Sequence, residues 1–356
     1  MKGKKPFIKG TSVYIAVCVF LTAVLVLSVL TAVTIGSANI SASDVYKVIG
    51  YEVFRIEKFA AFGKGAVHDV VWFIRLPRII LAVGAGMGLS VCGVVMQAIV
   101  KNPLADPYIL GISSGASLGA TLAVLAGVGA VFGSNSIGIM AFLGALAAAA
   151  GVIILANVRG HADSVKLILA GMALSSVCSA FSSFVIYIAK DKAGIQTITY
   201  WLMGSLAGAK WNIIAFVLPV VLVGTIFFIS QFRTLNLMLL GDEVSITLGK
   251  DLHKYRHAYL VVTSLIVGLV VYSSGMIGFV GLIIPHMVRM IFGTDHRKLI
   301  PLSSLAGSIF LIWCDVLCRT IIPDTEMPIG ILVSMIGAPC FIYLMVKRTY
   351  GFGGAR

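Results

Sequence analysis

Acidic side chains are rare in this sequence: 14 Asp and Glu stand against 27 Lys and Arg, and charge of either sign makes up only 12% of 356 residues. With 59% apolar residues and a mean hydropathy of +1.03, the chain lacks the polar groups to cover two soluble domains of its length. One membrane domain spanning residues 1–356 is the expectation. The net charge of +13 does not point to nucleic acid, because the cations sit at the ends of apolar runs instead of along one soluble face. Cysteine is sparse too. Cys18, Cys92, Cys178, Cys314, Cys318 and Cys340 all fall inside apolar runs, where a thiol behaves as a small hydrophobe. Cys314 and Cys318 share a helix face, but no His or carboxylate stands at zinc spacing, so neither a disulfide framework nor a metal site is expected.

An ATP site is missing as well. A P-loop needs a glycine five positions before its second Gly and a Ser or Thr after Lys, whereas Val244 and Asp251 flank the Gly249-Lys250 pair in those places. There is no chain of intramembrane acids and histidines such as a proton-coupled carrier would want, and no convergent set of catalytic polar groups. Asp315 is matched by Arg319 one turn later, and His286 after Pro285 reads as a packed, hydrogen-bonded side chain. No catalytic residue, cofactor or metal ligand is assigned to this chain.

What the sequence does have is ten apolar runs, over residues 11–35, 79–100, from 109 onward, 137–158, 167–189, 212–230, 257–272, 276–292, 300–322 and 328–346. The fold class is therefore an all-α integral membrane protein of about ten transmembrane helices. The first run follows Lys2, Lys4, Lys5 and Lys9 and is too long for a signal-peptide core, so it is kept as a spanning helix. Placing the N-terminus inside puts most cations, among them Lys101, Arg159, Lys250, Arg256, Arg289, Arg348 and Arg356, on the cytoplasmic side. Both termini come out cytoplasmic. Residues 36–73 form a mixed external segment with short interfacial helices, one of which Ser41 or Ser43 can cap.

The order of features in residues 75–120 organises the rest. Arg75 and Arg78 bracket Pro77 at one water boundary, residues 79–100 cross without a charge, and Lys101 closes the span. Asn102-Pro103 and Asp106-Pro107 then break the chain. The run that follows spaces Gly111, Ser114, Gly115, Ser117 and Gly119 so that another backbone can approach. An echo at an offset of 189 residues repeats Gly86, Met87, Val91, Asp106, Leu110 and Ser114 as Gly275, Met276, Val280, Asp295, Leu299 and Ser303. Paired broken hairpins of this kind point to a transport pathway at their interface.

Residues 231–256 form the longest polar cytoplasmic stretch. Its apolar residues Leu235, Leu237, Met238, Leu239 and Leu240 stop at Gly241, Asp242-Glu243 opens a short helix and Gly249 ends it. Two short helices with exposed Leu and Met under a membrane make a docking surface for another protein.

At these stretches the sequence resembles the FecCD family of ABC-transporter permeases. The matching patterns are R-L-P-R at 75–78, Q-x-x-x-x-N-P-L-A-x-P at 97–107, L-G-x-x-x-G-A at 110–116, and the stretches 235–249, 278–289, 294–297, 326–330 and 337–341. Ser245 departs from the alanine usual there. The resemblance implies a type II ABC importer permease for a bulky metal chelate, most often a ferric siderophore, with cobalamin and haem as alternatives. It also implies a homodimer in a bacterial or archaeal cytoplasmic membrane, two ABC ATPase subunits that carry ATP-Mg, and an extracytoplasmic substrate-binding protein. The coupling loop to the ATPase would hold Leu235, Asn236, Leu239, Gly241, Asp242, Glu243, Leu248 and Gly249. Arg75, Arg78 and Arg319 would receive acidic residues of the binding protein; from the sequence itself, Glu326 stands across the turn made by Pro323 from Arg319 and is expected to orient it locally. Met96, Gln97, Ser113 and Ser114 are the candidates for lining the path. The rival reading is an ion-coupled secondary transporter, which would need a gradient instead of ATP.

Overall fold

A computed structural model describes residues 11–36, 38–158, 160, 163–323 and 325–347. The regular structure among them is helical: α1 Thr11–Thr34, α2 Ala42–Phe54, α3 Ala66–Asp69, α4 Leu76–Val100, α5 Ile112–Leu125, α6 Ser136–Asn157, α7 Ser164–Ile188, α8 Lys192–Leu202, α9 Trp211–Ser230, α10 Phe232–Leu240, α11 Asp242–Thr247, α12 His253–Ser274, α13 Val280–Phe292, α14 His296–Thr320 and α15 Ile329–Lys347. The four N-terminal lysines, Arg159, Arg348 and Arg356 lie outside the described residues.

Each of the ten apolar runs becomes a helix, but they are not equal. Seven are long and apolar enough to cross a membrane, and three shorter apolar helices cover Ile112–Leu125, Val280–Phe292 and Ile329–Tyr343. At 14 residues α5 rises only about 21 Å, less than a hydrocarbon core of about 30 Å. The third and eighth runs are therefore partial spans. Their irregular approaches consume the missing length: residues 101–111 carry Pro103 and Pro107, and residues 275–279 carry Gly275 and Gly278. The echo is visible here, since Asp106 accepts from Tyr108 N at 2.8 Å and caps the short 3-10 turn Pro107–Leu110 before α5, and Asp295 accepts from Arg297 N at 3.0 Å and caps α14. Ser41 caps α2 by accepting from Asp44 N at 3.1 Å. The α8 helix, between the fifth and sixth runs, was not foreseen from hydropathy.

At the centre stands α4, buried along nearly its whole length and packed against α9, α12, α13 and α14. By contrast α1 and α7 turn Val19, Phe20, Phe181 and Phe184 outward, as helices facing lipid or a partner do. Two of the contacts of α4 are backbone to backbone. A Cβ on Gly86 would stand 2.2 Å from the carbonyl oxygen of Gly307, and one on Gly93 would stand 1.8 Å from that of Gly281. The small-residue spacing of α5 is used in the same way, with Gly115 against the Gly144 carbonyl and Gly119 against that of Met140.

Gly93→Val is accordingly expected to destabilise the folded protein by more than the about 1–3 kcal/mol typical of overpacking, because the obstacle is backbone and cannot rotate away. Gly208→Ala, whose Cβ would meet nothing within 4 Å, is the tolerated control. Thermal unfolding of the two purified variants in detergent measures the difference.

Candidate functional site

Three features outside ordinary helix packing bear on function: a buried ionic network at one end of the bundle, an open groove, and the turn between α9 and α12 at the other end.

The ionic network gathers the three arginines, though not as outward-facing forks. Arg78 Nε meets Asp315 Oδ1 at 2.6 Å while its Nη1 meets Glu326 Oε2 at 2.6 Å. Arg319 Nε lies 3.0 Å from Asp315 Oδ2, the same-helix pair expected from the spacing, and its Nη1 donates to Ile35 O at 2.7 Å. Arg75 closes the end of α1, donating to Thr34 O at 3.1 Å, Val33 O at 3.3 Å and Ala38 O. All three side chains are buried. The expectation of free surface donors is thus corrected: carbonyls at the end of α1 and two carboxylates have taken them up, because a guanidinium at a helix end in an apolar setting needs partners close by. Glu326 orients Arg78 and not Arg319, and its own side chain is 50% exposed. Arg319 Nη2 keeps no hydrogen-bond partner.

The groove encloses about 460 Å³ between the break before α5, the turns after α8 and α12, and α15. Its walls are Tyr108, Ser113, Leu202, Met203, Met276, Gly278, Gly330, Ile331, Ser334 and Met335, with no charged group among them. Three non-helical strands of backbone frame it: Ser205 N donates to Ser274 O at 2.8 Å, Ile329 N to Gly204 O at 3.1 Å and Gly330 N to Met203 O at 3.0 Å. Of the four path candidates Ser113 is there, its hydroxyl 2.9 Å from Met276 Sδ. Ser114 is not among the walls. Met96 and Gln97 are wholly enclosed in α4, where Gln97 Nε2 donates to Leu282 O at 3.4 Å. They are corrected to interior packing, since α4 is surrounded on every side. Met203, Ser334 and Met335 were missed. The amphipathic pattern of residues 192–202 could have revealed α8 and, with it, the turn that carries Met203.

At the other end, α10 and α11 form the two short helices foreseen in residues 231–256, joined at Gly241, whose φ of 102° suits glycine alone. Gly249, with φ 76°, ends the second. Their exposed apolar face differs from the expected one. Leu235 and Met238 are fully buried and Leu239 partly so, while Leu240, Val244, Ile246 and Leu248 project. The reason is helical phase: α10 lays Thr234, Leu235 and Met238 against the membrane domain, and the break at Gly241 resets the phase for α11. Ser245, at the position where alanine is usual, bonds back to Gly241 O at 2.7 Å and is buried without an unmet hydroxyl. Glu243 stays exposed in the first turn of α11. Asp242 pairs with Arg256 Nη2 at 2.7 Å and Lys101 Nζ at 3.4 Å.

These features can be set beside known proteins. A family model described as the FecCD transport family matches residues 24–347. The chain belongs to the FecCD transport family. It is 40% identical to the cobalamin import system permease protein BtuC of Halobacterium salinarum, over 78% of this chain and 74% of that one. It is 35% identical to the hemin transport system permease protein HmuU of Yersinia pestis, over 90% and 94% of the two chains. Its structure is similar to a solved inward-facing conformation of an ABC transporter assigned to the metal-chelate type, with a TM-score of 0.79, 31% identity and coverage of 94% of this chain and 99% of that one. This FecCD chain is thus a multi-pass, all-helical ABC transporter permease, and its R-L-P-R motif is the segment that builds the ionic network.

Two outcomes follow. Asp315→Ala leaves two buried guanidinium groups facing each other, and a loss of about 3–5 kcal/mol is expected, as for other broken buried pairs. Arg78→Met with Asp315→Leu should recover part of it, read by thermal unfolding. The second concerns pH. Burial works against the charge on Asp242, but Arg256 and Lys101 outweigh it and hold the carboxyl below its usual range. A depressed folded pKa contributes stability above the unfolded value of about 4 and loses it as pH falls through the lower folded value. Hydrogen exchange of residues 242–248, corrected for intrinsic rates, should therefore stay level from pH 7 to about 4 and quicken only below.

Proposed function

We propose that this chain is the permease subunit of a binding-protein-dependent importer that moves a bulky metal chelate into the cytoplasm, driven by ATP hydrolysis in a separate subunit. The observation that carries this reading is the projecting turn of Leu240, Val244, Ile246 and Leu248 on a chain without a P-loop. Four apolar side chains held out on two stiff short helices fit a cleft in another protein, and the ATPase is the partner that supplies what this sequence lacks.

In this reading two copies face each other across α15 and the groove, two ATPase subunits with ATP-Mg sit below, and the binding protein sits above. The turn and both termini are cytoplasmic. The outer ionic network sets Arg78 and Arg319 against Asp315 and Glu326, with Arg75 on backbone carbonyls beside them, so positive charge is in surplus and Arg319 retains a donor. A carboxylate of the binding protein would meet that surplus and compete with half-exposed Glu326. The groove walls are methionine, serine and glycine, which suit a large ligand that must slide and not stay. Within the chelate class, a ferric siderophore is the cargo proposed from the family resemblance. Relatives named for cobalamin and haem set the two competing cargoes.

The test is uptake into vesicles holding the permease, the ATPase and the binding protein, offered a ferric siderophore, haem or cobalamin with and without ATP. Uptake is expected only with ATP, and uptake driven by an ion gradient alone would favour a secondary transporter. Gly241→Val forces a β-branched residue to φ 102° and should abolish uptake while the protein still inserts. Wild-type uptake by that variant would sink the coupling-turn assignment.

A further inference from the structure

We propose that Asn236 and Asp242 are positioning residues that carry movement of the cytoplasmic turn into α14 and α4, and that they do not themselves touch the ATPase. This rests on the reading of the turn given above. Both side chains are half-buried and bonded to ends of helices outside the turn, unlike the projecting apolar residues. Asn236 Nδ2 donates to Asp295 Oδ1 at 2.8 Å, and its Oδ1 accepts from His296 N at 2.9 Å and lies 2.7 Å from His296 Nδ1. Asp295 is the N-cap of α14 and His296 its first residue, fully buried. One amide thus fastens α10 to the start of α14.

Asp242 does the equivalent for α4. Its carboxylate takes Arg256 at the start of α12 and Lys101, the left-handed residue that closes α4. Arg256 is itself buried. A further bond, Lys250 Nζ to Thr234 Oγ1 at 2.8 Å, ties the end of the turn back to α10, so the turn is braced against bending. Charge-assisted and buried hydrogen bonds are costly to leave unmade, so a displaced turn takes its bonded helix ends with it. Those two helices are also the pair that cross at Gly86 and Gly307 and are joined at their far ends by Arg78 and Asp315. A push on the turn therefore reaches one body whose opposite end is the outer ionic network.

The test uses the complete transporter in vesicles, with ATP hydrolysis, uptake and ATPase co-purification measured together for Asn236→Ala and Asp242→Ala. The expected result is unchanged co-purification, hydrolysis within about twofold of wild type and uptake per ATP lower by about tenfold, inside the usual range of coupling between sites. Asp242→Glu, which keeps the carboxylate, should recover most of the loss, an outcome that simple damage to the fold would not give. Asp242→Asn, which keeps the shape and one acceptor, serves if the alanine variant does not fold. Wild-type uptake per ATP in Asn236→Ala and Asp242→Ala would overturn the proposal. So would loss of ATPase binding in step with uptake, because the residues would then belong to the interface itself. Leu248→Glu separates the two levels: if it leaves ATPase binding intact, the reading of the turn fails, whatever the other variants do.

Discussion

The close crossing of α4 on α14 is the constraint from which the rest of the structure follows. Gly86 and Gly307 bring the two backbones together, and this approach places Arg78 of one helix against Asp315 of the other at 2.6 Å. In a medium of low dielectric an unpartnered charge is costly, so the pair can exist only where the helices are already held. The glycines make the pair affordable, and the pair in turn fixes the rotation of both helices about their axes. Arg319, one turn beyond Asp315, is then aimed at Ile35 and links the end of α1 to the same point. At the periphery, α1 and α7 are left with many of their apolar side chains facing out.

The same two helices organise the opposite end. Lys101 closes α4 and Asp295 opens α14, and the short helices α10 and α11 are bonded to both. The ionic network and the α10–α11 turn are thus two ends of one packed unit. The groove lies beside that unit and is framed by backbone from three breaks in the helical structure, near Gly204, Gly275 and Gly330. Irregular backbone within a membrane is tolerated where it lines a cavity or is covered by protein, and here it does the first.

Much of this was legible in the sequence. Hydropathy located ten helices because a spanning helix must satisfy its own backbone groups and present apolar side chains around its circumference. The breaks at 101–111 and at Gly241 were legible because proline and glycine act locally, through a missing donor or a permitted φ. Side-chain direction was not. Arg75, Arg78 and Arg319 stand at helix ends, and nothing local distinguishes an end that faces water from one covered by α1 and residue 326. Leu235 and Leu248 look alike in sequence, but a phase reset at Gly241 separates them. Met96 and Gln97 border a break, which suggested a pathway, yet the helix that carries them is enclosed by four others. α8 escaped because its 11 residues interleave neutral polar and apolar groups over a stretch below the length at which hydropathy averages respond.

That division also explains why the family is so much easier to read here than the cargo. Fastening of helix ends depends on particular atoms, such as a guanidinium against a carboxylate or an amide against a helix cap, and these leave residue types at fixed places in the chain. Passage of a large ligand depends on the absence of strong contacts. The groove residues Ser113, Met203, Met276, Ser334 and Met335 offer soft surface and weak hydrogen bonding, which on the proposed path would be equally permissive to any of several chelates. In the proposed reading, selection then falls to a site where binding can be tight, before the ligand reaches the groove.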